Sequence, residues 1–155
     1  MHRVTSSLLL RLVGPLDQLA LCWQAGSTMI ASVDFGEDSE THRHNVLVAL
    51  QEMVTNVMRH AYGGDQSQPI EVEFTVDSRA FAIELRDHGK AFDPLAHDLT
   101  DLIEDTSMPQ VCGGFGIYFS RLVMDAVTYE RRGDCNVLRM EKLVAVPVAE
   151  RRSRP

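Results

Sequence analysis

Between residues 47 and 85 the spacing of apolar residues changes once, and that change limits the possible folds more than any other feature. Leu47, Leu50, Val54, Val57 and Ala61 follow one another at steps of three and four, the repeat that places side chains on one stripe of an α-helix. Ile70, Val72, Phe74 and Val76, and then Phe81, Ile83 and Leu85, follow at steps of two. That is the repeat of a strand with one buried face. Gly63-Gly64 separates the two regimes and stops the helix. Asp77-Ser78-Arg79 turns the second regime back on itself as a hairpin. Ser39 or Thr41 is placed to cap the helix. An amphipathic helix followed by a half-buried hairpin must bury both apolar surfaces together, which requires two packed layers.

The remaining segments fit the same plan. Thr5 to Val13 is apolar and compatible with a strand, ended by Gly14-Pro15. Leu16, Leu19, Ala20, Trp23 and Ile30 then mark a first helix to about Val33, with Gly26 weakening its middle. Asp34 to Glu40 is a loop. Asp87 to Pro94 is a second loop, and 95–112 is a long acidic connection with a short helix around Leu99 to Glu104. Connections of that length in a compact domain usually serve function. Gly113 to Gly116 opens a third helix, which runs to about Asp125. Val127 to Arg131 and Asn136 to Val144 form a last hairpin about Gly133-Asp134. The order predicts an α/β fold, a two-layer α/β sandwich with helices on one face of a mixed, mostly antiparallel sheet. One domain covers 1–147, and 148–155 is a disordered tail.

Composition narrows the functional classes. The 155 residues carry a net charge of −7, whereas sequence-independent nucleic-acid binding needs a positive surface. A protein partner, above all a basic one, suits this charge better. No run of about 18 apolar residues occurs, so no membrane span is expected. The apolar start of the chain breaks at Arg11, which reads as a short strand rather than a secretory leader. The chain is therefore expected to be cytoplasmic. Cys22, Cys112 and Cys135 are dispersed and odd in number, which fits a reducing compartment. His42 and His44 read as solvated positions at a helix start rather than metal ligands.

Three clusters carry chemistry. Glu52, Asn56 and His60 are four apart and share a helix face. That face is either solvated or turned into a cleft, where a carboxylate could take a proton and an amide oxygen suits Mg²⁺. Asp87-His88-Gly89-Lys90-Ala91-Phe92-Asp93-Pro94 directly follows a strand. It is either an ordinary turn or a place where Asp87 accepts a hydrogen bond from an exocyclic amine and Gly89 lets a ligand approach the backbone. Gly113-Gly114-Phe115-Gly116 precedes a helix and leaves backbone amides open at its positive end, where anions are favoured. It matches neither the P-loop nor the dinucleotide fingerprint, and a plain hinge is the other reading.

Taken in this order, the clusters resemble the N, G1 and G2 boxes of the GHKL (Bergerat-fold) ATPases. Glu52-Met53-Val54-Thr55-Asn56-Val57-Met58-Arg59-His60-Ala61-Tyr62 is similar to the E-x-V-T-N-x-x-x-H-A-Y form of the anti-sigma factor/serine-protein kinase family. Asp87-x-Gly89-x-x-Phe92-Asp93-Pro94 resembles the G1 box, and Gly113-Gly114-Phe115-Gly116-Ile117 the G2 box. Asn136, Leu138 and Lys142 match residue types of the family's final strand. The resemblance covers roughly residues 4 to 145. It implies ATP or ADP with Mg²⁺, Glu52 as general base, Asn56 as the Mg²⁺ ligand and Asp87 as reader of the adenine amine, with Gly89 giving the base room. Gly114 and Gly116 would offer amides to the phosphates. Arg59, His60, Lys90, Phe92, Gly113, Phe115 and Ile117 complete the implied nucleotide site. The implied partners are a sigma factor and a STAS-domain anti-anti-sigma protein phosphorylated on serine, with the family often forming a homodimer.

Two departures stand out. Ala91 replaces a frequent Gly, and residues 91 to 120 contain no Lys or Arg, although many active relatives place an Arg there. Transfer of a phosphoryl group depends on charge stabilisation, so a sequestering module that binds nucleotide without transferring phosphate is the runner-up. The ATPase domain of a sensor histidine kinase is a third reading. It is weakened by the lack of a phosphoacceptor hairpin, a sensor segment or a membrane span.

Overall fold

The computed structural model describes residues 4–13, 17–65, 67–96 and 114–145. Its elements are β1 (Val4–Leu12), α1 (Asp17–Ile30), α2 (Ser39–Asn56) with a π-helical turn at its end (Val57–Ala61), β2 (Ile70–Asp77), β3 (Ala80–Asp87), α3 (Gly114–Val123), β4 (Ala126–Arg132) and β5 (Cys135–Leu143). The connection expected over 95–112, its short helix and the tail from 148 lie outside the described residues, apart from Leu95 and Ala96.

The sheet runs β1-β2-β3-β5-β4. Every described pair in it is antiparallel, which corrects the mixed sheet expected from the sequence. The reason is topological. β3 and β4 run the same way and are joined by a crossover through α3, but β5 lies between them, so the parallel pair never forms.

The register explains the two-residue alternation. One inward row crosses the sheet as Leu8, Phe74, Ile83, Met140 and Val127; the next is Leu10, Val72, Leu85, Leu138 and Tyr129. The α2 stripe Leu47, Leu50, Val54, Val57 and Ala61 is buried against this surface, as are Cys22 and Ile30 from α1. Each large apolar side chain removed from water in this way contributes about 1.5–3 kcal/mol. The opposite sheet face is ionic. Burial works against the Arg86 guanidinium, yet Glu73, Glu84 and Glu71 hold it charged, at 2.9, 2.7 and 3.1 Å. The described helices therefore occupy one face, as the sequence indicates.

Three local readings change. The α2 N-terminus is not capped by Ser39 or Thr41. Asp38 precedes the helix in the left-handed region (φ 54°) without a side-chain cap bond, and Ser39 is the first helical residue. The Ser39 hydroxyl instead accepts the Phe35 amide at 2.9 Å, and Arg43 donates to the Val33 carbonyl at 2.8 Å, so the loop before α2 is pinned. His42 and His44 are not merely solvated, because their rings lie edge-on to Phe35 and Trp23. Gly26 is a contact point. A Cβ there would lie 3.0 Å from Leu47 Cδ2 and 3.2 Å from both Leu50 Cδ2 and Phe74 Cε1. Its lack of a side chain sets how closely α1 approaches α2 and the sheet.

Gly26→Val should therefore destabilise the domain by about 1–3 kcal/mol through overpacking. Gly26→Ala should fall near neutral, because a helix-propensity gain of about 1 kcal/mol opposes a milder clash. Urea unfolding of the two variants measures both.

Candidate functional site

A third inward row lies beyond the two apolar ones, and it turns polar part-way across: Ile70 on β2 is followed by Asp87, Asn136 and Arg131 on β3, β5 and β4. Asp87 and Asn136 are each only 3% exposed. Burying a carboxylate is costly unless it is hydrogen-bonded, and here the Asn136 amide donates to Asp87 Oδ1 at 2.8 Å and the Gly89 backbone N–H does so at 2.9 Å. Asn136 is saturated in turn. Its Nδ2 also donates to the Lys90 carbonyl, and its Oδ1 accepts from the Tyr129 hydroxyl at 2.6 Å and Arg131 Nη1 at 2.9 Å.

Asp87 and Asn136 of this row lie on the floor of an open cleft. Met53, Asn56, Val57 and Ala61 of the α2 end form one wall, and Phe92 and Pro94 close another. The combination is mostly apolar with a few fixed polar groups, the usual chemistry of a small-molecule site.

The loop after β3 is held from three sides. Lys90 N–H donates to the Ala61 carbonyl at 3.0 Å, Arg131 donates to the Gly89 carbonyl at 2.8 Å, and His88 N–H donates to the Tyr62 hydroxyl at 2.9 Å. Tyr62 donates onward to the Pro69 carbonyl at 2.6 Å. Burial pushes the Tyr62 hydroxyl above its ordinary pKa, with the His88 amide pulling the other way, so it stays a donor at neutral pH. Gly89 is needed for a different contact from the one expected. A Cβ there would run into the Ala61 carbonyl group, 2.6 Å from its carbon, so the space left open at Gly89 is filled by the helix end rather than kept for a ligand.

The other expected residues divide by position. Asn56 is 3% exposed, lines the cleft, and its amide has only a long contact to Met53 Sδ at 4.0 Å. Glu52 is half-buried one turn earlier. The π-helical turn begins directly after Asn56 and adds an extra residue to the helical repeat, a feature frequent at functional sites. It carries His60, whose ring stacks on Phe92 at 4.8 Å. Arg59 and Lys90 are exposed. Ile117 is a core side chain at 4% exposure, so anything it offers a ligand comes from its backbone. Gly114 and Phe115 begin α3, and Gly116 packs on Glu52. Gly113 lies outside the described residues.

Asn136 was noted in the sequence only as a matching type, and Tyr129, Arg131 and Tyr62 had no assigned role. A signal for Asn136 existed: in the alternation Asn136, Leu138, Met140 it is a polar residue at an inward position. Neither described cysteine is a nucleophile. Burial pushes Cys22 up to about 12, and burial with the Asp87 and Asp134 charges raises Cys135, so both remain thiols near neutral pH.

The histidine kinase-like ATPase domain family matches residues 18–142, which include every residue that lines the cleft. The chain belongs to that family. The match agrees with the resemblance drawn from the three boxes. Similar relatives are serine-protein kinases RsbW: that of Listeria monocytogenes is 29% identical over 84 residues, 52% of this chain and 53% of the relative. That of Bacillus subtilis is 27% identical over 93 residues, 58% of each, and that of Bacillus licheniformis 32% over 85 residues, 52% of each. The chain thus spans about half the length of the relatives it matches. A chain of the SiaB–SiaC complex from Pseudomonas aeruginosa shares the fold, with a TM-score of 0.57 over 91% of this chain and 89% of that one at 11% identity.

Asn136→Ala should leave the buried Asp87 carboxylate one donor short and cost about 1–3 kcal/mol of stability. Urea unfolding at neutral pH tests this, and an unchanged midpoint would mean that the pair is not holding the strand ends.

Proposed function

We infer that the chain binds ATP in this cleft and transfers its γ-phosphoryl group to a serine of a STAS-type anti-anti-sigma protein, alternating that partner with a sigma factor that it sequesters. The observation that carries this reading is the buried Asp87–Asn136 pair at the floor of a largely apolar cleft, with Asn56 on its wall and Glu52 one helical turn before Asn56. Similarity to RsbW kinases supports the choice of substrate class. The cytoplasm is the proposed location; among the described residues no helix is long and apolar enough to cross a membrane.

The roles follow from donor and acceptor chemistry. One Asp87 oxygen already takes two donors, and the other is left for an exocyclic amine, as adenine has and guanine lacks at that ring position. Met53, Val57, Ala61 and Leu138 supply apolar contact to a flat base. The first amides of α3, at Gly114 and Gly116, have no partner inside the helix and suit phosphate oxygens. Asn56 fits Mg²⁺: among the described residues its buried amide has only the long contact to Met53 Sδ, and this ion is commonly held by one or two side chains with substrate phosphates and water. Bound there, Mg²⁺ would neutralise charge on the phosphate oxygens. In the transfer, the serine Oγ forms a bond to the γ-phosphorus as the bond to the β–γ bridging oxygen breaks. The hydroxyl proton passes to Glu52, and ADP leaves.

A second reading, nucleotide-dependent sequestration without transfer, is favoured by the absence of Lys and Arg from 91–120. Labelled ATP, Mg²⁺ and STAS proteins from the same organism decide between them. The kinase reading expects phosphoserine on one partner, with Glu52→Gln slowing transfer about 10²–10⁴-fold while ATP still binds. Transfer untouched by Glu52→Gln would remove the base assignment, and no transfer to any partner would leave the sequestering reading.

Asp87→Asn should weaken ATP by about 1–3 kcal/mol and reduce preference over GTP. Calorimetry with equal ATP and GTP affinities in the unmodified protein would sink the adenine assignment.

A further inference from the structure

Gly116 stands in the first turn of α3 with the Glu52 side chain laid against it. A Cβ built on Gly116 would overlap the Glu52 carboxylate at Oε2 and lie 3.0 Å from both Cδ and Cβ of Glu52. Two kinds of contact are therefore present. The Cβ contact fixes how closely α2 and α3 approach, since that atom moves only with the helix. The Oε2 and Cδ contacts fix where the carboxylate lies, since the flexible end of Glu52 fills the space that a side chain at 116 would need. Ser120, fully buried one turn on, donates to the Gly116 carbonyl at 2.9 Å and is part of the same packed helix contact. The carboxylate is also held beside the positive end of α3, where a negative charge is favoured.

We propose that Gly116 is a positioning residue for Glu52: the missing side chain is the seat that holds the carboxylate against the first turn of α3. This rests on the kinase reading and gives the glycine a task separate from its amide. The amide can face phosphate while the Cα face receives Glu52. A methyl group at 116 must push the carboxylate aside, and a displacement of about 1 Å in a reacting group can cost about 10²-fold in rate.

The test is a cycle of Gly116→Ala and Glu52→Gln, assayed for transfer to the STAS partner at saturating ATP and for ATP affinity by calorimetry. Gly116→Ala should slow transfer by about 10²-fold with the ATP dissociation constant changed by less than about threefold. In the Glu52→Gln background the same substitution should slow transfer by less than about twofold, since residues acting as a unit are not additive. A merely structural glycine would slow both backgrounds equally, and that outcome overturns the proposal. So does Gly116→Ala weakening ATP strongly at an unchanged saturated rate, which would assign the glycine to the phosphates alone. If the unmodified protein transfers no phosphate, the kinase reading falls and this role with it. Transfer that proceeds normally in Gly116→Ala sinks only the seat.

Thermal melts keep the idea testable if Gly116→Ala folds poorly. Its loss in Tm should be several degrees, and at least halved in the Glu52→Ala background, where the overlapping carboxylate is gone. Equal losses in both backgrounds, or failure of both variants to fold, would show that Glu52 is not what occupies the seat.

Discussion

The Asp87–Asn136 hydrogen bond is where the sheet stops being a core and becomes a site. The two side chains face one another across adjacent strands in the row directly beyond Leu85 and Leu138. Had that row been apolar, it would simply have extended the core. Because it is polar, its desolvation has to be offset by a complete set of partners, and those partners come from β4 and from the loop after β3. The loop is thus ordered by the same bonds that keep the carboxylate tolerable. A network of this kind gives little net stability per bond, about 0.5–1.5 kcal/mol, but leaving one member unpaired costs more, so its geometry is specified more sharply than an apolar contact would be.

The end of α2 depends on that geometry in turn. A helix end leaves carbonyls without intrahelical donors, and the Ala61 carbonyl is satisfied by the Lys90 amide. That bond requires the chain at Gly89 to lie directly against Ala61, which only a residue without a Cβ permits. The π-helical turn, the glycine and the Asn136 network therefore form one mechanical unit. Gly116 does on the α3 side what Gly89 does on the β3 side. In both places a glycine marks a close contact between two segments, with the Ala61 backbone at Gly89 and with the Glu52 side chain at Gly116.

Much of this was legible in the sequence because periodicity reports burial. The steps of α2 and of the β2–β3 hairpin gave the elements within a few residues, and Gly63-Gly64 ends the helix with φ values of 58° and 84° as read. The antiparallel order of the sheet was not legible, since nothing local says that β5 inserts between β3 and β4. Gly26 misled for a related reason: helix propensity is a local quantity, whereas the cost at that position is set by Leu47, Leu50 and Phe74. Asn56 of the first cluster and Asp87, Phe92 and Pro94 of the second do line the cleft, but the connections among them were not legible. Asn136 and Arg131 lie 49 and 44 residues from Asp87 in the chain, and only strand register brings them together.

Charge sets the remaining constraint on the proposed chemistry. A triphosphate at the first turn of α3 would stand near Glu52, which packs on Gly116, so two sets of negative charge would share the one helix end that favours either of them. The basic residues that flank the cleft do not solve this directly. Arg121 belongs to the last turn of α3, the end opposite Gly116. Lys90 has its backbone fixed to Ala61 and Asn136, at the base-binding end of the cleft. Arg131 is already committed to Gly89, Gly133 and Asn136. Among the described basic residues near the cleft, that leaves Arg59, exposed on the π-helical turn, with a metal ion at Asn56 or a partner as the other sources of compensation in the proposed reaction. On the proposed kinase reading, a charge balance completed by the substrate protein would restrict transfer to the docked complex, which is the behaviour a partner-dependent switch requires.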